Sequence, residues 1–260
     1  YTLWHTLSLH DALPIWMLVV GRRIAGLRAA FWPGLMLGGF FSLEFLMLFI
    51  ALDLTTVSRA SILFYSMPVW LAGAAHVFLP GERLSARRVL GLALAMAGVA
   101  WALADPHSGD AGNLWGDLLA LGAAFAWMGI ALTVRLTRVS RLNAETQLFF
   151  QLAVSAVVLL AVAPLFGPLL REPGPWHWAG LGFQAAAVAS LGFLFWLGLM
   201  AVYPASDVAA FSFLSPVLAV GLGWLLLEEP VGPAFAGALG LVAVGIVLIN
   251  MRRKTPAGAA

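Results

Sequence analysis

Few side chains in this sequence are equipped for chemistry, and one stands out by its surroundings. Glu44 sits in Phe41-Ser-Leu-Glu-Phe-Leu-Met47, near the middle of an apolar run at 31–52 that contains no basic residue. An ionisable group at that depth of a membrane costs about 2.5–3.5 kcal/mol on insertion scales and is functional by default. Two chemistries suit a lone carboxyl there: carrying a coupling proton, or pairing with a substrate amine. The plainer alternative is a hydrogen bond to a neighbouring helix.

The next apolar run carries a polar stripe at helical spacing: Ser58, Ser61, Tyr65, Pro68, then Ala72 and His76. Those positions share one face of a helix. A similar face recurs later as Ser206, Ala209, Phe213 and Pro216, with Ser212 and Ser215 beside it. Serines are also ordinary packing residues between membrane helices, and packing is the leading role for these. Tyr65, with its ring and hydroxyl beside a proline, fits a cavity wall better. Ser58 and Ser206–Asp207 begin their runs, which makes N-capping their default role.

Other polar residues carry weaker signals. Gln147 and Gln151 share a helix face and Gln184 lies inside another run. A buried amide needs partners, so these either line a path or join helices. Asp117 reads as a first-turn acid favoured by the helix dipole. Glu82, Glu228 and Glu229 flank helix ends and read as turn residues. Trp127 and Trp196 lie deeper than the other tryptophans and are weak cavity candidates. His76 has no second histidine or carboxylate at ligand spacing, and there are no cysteines, so no metal site is expected. No G-x-S-x-G, H-E-x-x-H or G-x-x-x-x-G-K-[ST] occurs, so neither catalysis nor nucleotide coupling has visible machinery and no cofactor is expected.

The elements that must position these residues are membrane helices. The 260 residues are 62% hydrophobic and 10% charged, against about 25% charged in soluble domains. A spanning helix needs about 20 mostly apolar residues. Eight runs qualify: 31–52, 57–78, 88–104, 114–134, 147–166, 177–199, 206–227 and 231–250. Residues 1–15 have neither a basic n-region nor a small-residue cleavage site, so they are not a signal peptide. They are expected to be a non-native leader. Trp16 to Val20 reads as the tail of a further hydrophobic segment.

Twelve of the fourteen basic residues fall in alternate loops, from Arg22 and Arg28 through Arg88 and Arg135 to Lys254; only Arg59 and Arg171 lie opposite. Basic loops face the cytoplasm, which places the C-terminus there. It also turns these residues into topology signals and excludes a nucleic-acid surface.

The stretch Ser58-Arg-Ala-Ser-Ile-Leu-Phe-Tyr-Ser-Met-Pro68 has an echo 148 residues later, Ser206-Asp-Val-Ala-Ala-Phe-Ser-Phe-Leu-Ser-Pro216. Each is an apolar run with a proline in its middle. Each is followed by an acidic turn (Glu82; Glu228 and Glu229) and a Gly/Ala-rich run containing Gly91 or Gly237. Such a proline is tolerated in a membrane when neighbours satisfy the freed carbonyls, here those of Phe64 and Ser212. From the run at 57–78 to that at 206–227 there are five steps, an odd number, so the two copies cross in opposite directions. Inverted repeats of this kind are the architecture of secondary transporters.

These residues together resemble the EamA-type branch of the drug/metabolite transporter superfamily: the Ser…Pro helix, the acidic turns Pro80-Gly-Glu82 and Glu228-Glu-Pro230, and the Gly-starting span after each. The resemblance covers about residues 16–250. It implies an all-α polytopic membrane bundle of two inverted five-helix halves, at 16–105 and 113–250, with a cytoplasmic tail at 251–260. The first half is expected to lack its first helix and most of its second. It also implies a cavity surrounded by the runs at 31–52, 57–78, 114–134, 177–199 and 206–227, with the other three peripheral. Glu44, Ser61, Tyr65, Pro68, Gln184, Phe213 and Pro216 are then the pathway positions.

The resulting expectation is an inner- or plasma-membrane exporter of small organic metabolites, amino-acid or drug-like, working by alternating access and coupled to protons. It is not an enzyme. Its partners are a small-molecule substrate and the lipid bilayer, with no nucleic acid, and homo-oligomerisation stays open. The alternatives are a passive facilitator or channel, and a membrane enzyme or lipid-handling protein.

Overall fold

The computed structural model describes residues 26–79, 85–104, 113–167, 174–184, 186–187, 214–229 and 231–250. Among them every regular element is helical. In chain order these are α1 (Phe31–Leu54), α2 (Val57–Phe64), α3 (Met67–Phe78), α4 (Ala86–Ala104), α5 (Leu114–Leu136), α6 (Ala144–Val162), α7 (Pro175–Phe183), α8 (Leu214–Leu227) and α9 (Pro233–Asn250). Short 3-10 turns at Arg138–Arg141 and Ala163–Phe166 follow α5 and α6. Four stretches are long and apolar enough to cross a membrane: Phe31–Leu54, Val57–Phe78, Leu114–Leu136 and Thr146–Phe166. The protein is an all-α membrane bundle. Most of the run expected at 177–199, and the beginning of that at 206–227, lie outside the described residues.

The distribution of side-chain size explains why this chain folds in lipid. The buried set is rich in alanine, among them Ala51, Ala60, Ala95, Ala120 and Ala238, whereas Trp32, Val157, Trp176, Trp224 and Leu226 are exposed. A soluble protein would bury more of those large side chains. Between membrane helices no hydrophobic force operates, so small residues that let backbones approach provide the contact. Buried hydroxyls bond back to their own helices: Ser42 Oγ donates to the Gly38 carbonyl at 2.7 Å and Thr133 Oγ1 to that of Gly129 at 2.7 Å. That removes a polar group that lipid could not satisfy.

Two interfaces organise the bundle. Along α1 and α5, Phe40 packs on Gly129, Met47 on Gly122 and Leu54 on Gly116. As one partner's number rises the other's falls, so the two helices are antiparallel. Gly34 and Gly38 of α1 receive Phe150 and Val154 of α6, which makes α1 and α6 parallel.

The second interface, between α4 and α9, is closer still. A Cβ added at Gly91 would lie 2.6 Å from the Gly245 carbonyl oxygen, and one at Gly245 would lie 2.5 Å from that of Gly91. One at Gly98 would meet the Ala238 carbonyl at 2.7 Å. Adding 147 to 91 and to 98 gives 238 and 245, so the Gly91–Gly245 contact maps onto the Ala238–Gly98 contact. The α4–α9 seam is thus two-fold in its own register.

The helices present two ends. At one, α1 finishes while α2 and α5 begin, joined by the Asn113 N–H donating to the Leu54 carbonyl at 3.1 Å. At the other, α5 finishes and α4 and α6 begin. We refer to them as the Asp117 end and the Arg135 end.

Candidate functional site

Pro68 does not bend a continuous helix, as its mid-run position suggests. It stands in the first turn of α3, where its missing N–H is not required, and the run is divided into two helices. The break at Tyr65 and Ser66 is stitched locally. The Ser66 N–H and Oγ both donate to the Leu63 carbonyl, at 3.3 and 2.5 Å, and Trp70 Nε1 donates to Ser66 Oγ at 2.9 Å. The carbonyl that the junction caps is therefore that of Leu63, one residue before the expected Phe64.

Aromatic rings gather at this break. Phe64 stacks on Trp127 of α5 with centroids 4.9 Å apart, and Tyr65 meets Trp127 edge-on at 6.0 Å. Trp70 packs against Phe125 at 4.8 Å. Tyr65 therefore stands in an aromatic wall, one turn from Ser61 on α2 and three residues before Pro68. The helix break at Tyr65 and Ser66 separates Ser61 from Pro68, which stand on α2 and α3. Among the described residues, neither the Ser61 hydroxyl nor the Tyr65 phenol has a hydrogen-bond partner.

Glu44 is 7% exposed. It lies seven residues from both Leu37 and Ala51, which are fully buried, so the three form one stripe of α1. That stripe falls between the face that meets α5 (Phe40, Met47) and the one that meets α6 (Gly34, Gly38). No hydrogen bond or ion pair to Glu44 is present among the described residues. A carboxyl buried in an apolar stripe is the kind of group a proton- or amine-binding site uses.

The remaining expected positions are less connected. Gln184 follows α7, a helix with no buried residue, and is half-buried; the described contacts do not bring it to the Tyr65 stripe. Pro216 lies in α8. Phe213, Ser206, Asp207 and Trp196 lie outside the described residues. Gln147 is a turn fastener, with Nε2 donating to the Val139 and Leu142 carbonyls at 3.1 and 3.0 Å.

The Asp117 end holds the polar cluster that sequence reasoning missed. Asp117 is more than a first-turn acid. Its Oδ2 pairs with Arg59 Nη2 at 2.5 Å, and Oδ1 accepts from Arg59 Nε at 3.1 Å and from Thr55 Oγ1 at 2.8 Å. The side chains are 7% and 1% exposed, so this is a buried, bidentate pair between α2 and α5. Alongside it, Glu229 reaches across from the end of α8. Its Oε1 accepts from the Val57 N–H at 2.7 Å, and Oε2 from the Ser58 N–H and hydroxyl at 2.9 and 2.5 Å. The expected roles of Ser58 and Glu229 are therefore corrected. Thr56 is the N-cap of α2, accepting from the Arg59 N–H at 3.2 Å. Ser58 donates to Glu229, and Glu229 places a negative charge on the positive end of α2 rather than serving a turn alone.

At the Arg135 end the helices part around a cavity of about 120 Å³, lined by Pro68, Leu71, Ala72, Ala75, Arg88, Arg135 and Ile249. Pro68 and Ala72 continue the polar stripe into it. Among the described residues no cluster of histidine and acidic side chains suited to a metal is present.

A helical bundle of this apolarity, with an enclosed carboxyl and an aromatic-walled break, defines a multi-pass membrane protein. The model of the EamA-like transporter family matches residues 2–104 and 114–251, and the chain belongs to that family of membrane transporters. It is 28% identical over 216 residues to the uncharacterized transporter YvbV of Bacillus subtilis, covering 81% of this chain and 68% of that protein. It is 31% identical over 236 residues to the uncharacterized protein PA1977 of Pseudomonas aeruginosa, covering 90% and 77%. One solved crystal structure shares the fold at a TM-score of 0.63 and 23% identity, covering 95% of this chain and 87% of its own.

Proposed function

We propose that the chain is a secondary transporter that exports small organic solutes by alternating access, with Glu44 carrying the coupling proton. The observation that carries this reading is the asymmetry of the two ends. Among the described residues, one end is bridged by Arg59–Asp117 and Ser58–Glu229, while the other holds a cavity lined in part by Pro68. A channel needs both ends open at once; a carrier needs one closed at a time. The two-fold register of α4 and α9 supports two inverted halves, divided near 105–113, that rock about this seam. Ser61, Tyr65, Pro68, Gln184, Phe213 and Pro216 form the pathway in this proposal. Arginines in the loops favour a cytoplasmic Arg135 end and C-terminus.

Solute flux into proteoliposomes tests this, with amino acids, nucleobases and cationic drugs offered with and without a proton gradient. Uphill, gradient-dependent flux that Glu44→Gln abolishes is the expected result. Flux that never runs uphill and ignores the substitution would return the protein to a facilitator and Glu44 to helix packing.

A further inference from the structure

We infer that the cavity at the Arg135 end is a binding site for the head of a singly charged anionic amphiphile, a phosphate or carboxylate attached to an apolar tail. The cavity shares Pro68 with the pathway proposed above but lies apart from Glu44, so binding there is read without flux.

Its lining is divided in two. Arg88 comes from the first turn of α4 and Arg135 from the last turn of α5, so arginines from two helices line one cavity. The rest of the wall is Pro68, Leu71, Ala72 and Ala75, a single face of α3, closed by Ile249 of α9. Guanidinium forks match carboxylate and phosphate oxygens two at a time. Each has five donors, so an anion adds to the contacts an arginine already makes.

Charge and size narrow the ligand further. Arg28, Arg87, Arg138 and Arg141 stand at the same end of the bundle. The acids whose side chains are described are Asp53, Asp117, Glu228 and Glu229 at the opposite end, and Glu44 within the bundle. The cavity lining holds two arginines and no acid, which favours an anion over a zwitterion. A volume of about 120 Å³ is well below the roughly 300–1,000 Å³ of pockets that enclose whole ligands. It suits a head group, with the tail running out along the apolar face of α3. Two sources offer this chemistry: an anionic phospholipid drawn from the bilayer, as basic pockets between membrane helices do, or a fatty-acid-like solute from water.

The test is direct binding to the full chain, with no flux involved. The purified protein in nanodiscs of phosphatidylcholine is titrated with phosphatidylglycerol and, separately, with decanoate, with retention read by native mass spectrometry. Arg88→Gln combined with Arg135→Gln is expected to weaken binding at least tenfold, while Arg141→Gln, at the same end but outside the cavity, leaves it unchanged. Ala72→Trp fills the cavity with both arginines kept and is expected to give the same loss, which covers the case in which the double variant fails to fold. Retention of phosphatidylglycerol alone assigns the site to lipid, and of decanoate alone to solute; either supports the site. Equal retention of phosphatidylcholine and phosphatidylglycerol together with no retention of decanoate, or loss that Arg141→Gln reproduces, would overturn it.

Discussion

The two ends of the bundle use the same kind of residue in opposite ways. At the Asp117 end an arginine is buried and spent on a carboxylate, bidentate and further held by Thr55. At the Arg135 end two arginines border a cavity with apolar walls. The cost of burying a charge accounts for the difference. Arg59 is taken out of water, so it is tolerated only with a partner of matching geometry. Arg88 is half-buried and Arg135 exposed, where hydration meets most of that cost. A buried pair can close a passage; bordering cations can receive something that enters it.

Removing one half of the buried pair should have the largest effect. Arg59→Ala leaves Asp117 charged and buried, and is expected to cost about 3–5 kcal/mol, read as thermal stability in detergent. Arg59→Met with Asp117→Leu should recover most of that loss. A double variant as unstable as the single one would mean that packing, not charge, closes this end.

Next come the seams on which both ends depend. Gly245→Leu drives a side chain into the Gly91 carbonyl and should cost about 1–3 kcal/mol or prevent folding. Gly240→Leu, on the same helix with nothing within 4 Å, should be near neutral. Equal tolerance at the two positions would disprove the close α4–α9 approach.

A smaller change is expected at Glu229. Glu229→Gln keeps the shape but removes the charge from the first turn of α2, at about 0.5–1 kcal/mol. Because the chain has no cysteine, labelling of Val57→Cys against Ala72→Cys reads the two ends separately. Ala72→Cys should react at least several-fold faster, and Glu229→Gln should narrow the gap by exposing Val57. Equal labelling rates from the start would remove the asymmetry altogether. The smallest effect belongs to the break: Ser66→Ala loses the bonds to Leu63 and Trp70 and should cost about 0.5–1.5 kcal/mol, with little change at either end.

The proposed pathway positions that the sequence offers are those whose signal is local. Glu44 betrays itself by its apolar neighbours, and the Ser61–Tyr65–Pro68 stripe by its spacing, because helical period is a property of nearby residues. Asp117 and Glu229 were read too modestly for the opposite reason. Each sits beside a helix end, where capping explains an acid without any partner, and the actual partners lie 58 and 171 residues away. The only available hint was that Arg59 stands on the side of the membrane that basic residues avoid.

What the sequence by itself determined is the class of solvent and the class of element. Long apolar runs must satisfy their backbone groups internally once water is absent, so helices and their lengths follow from composition and period alone. The tertiary structure decided which charges meet, and that Pro68 divides a span into two helices instead of bending one. Those outcomes depend on how closely backbones approach at Gly91, Gly129 and Gly245. That distance is set by every pair of side chains along a seam at once, and no local pattern encodes it.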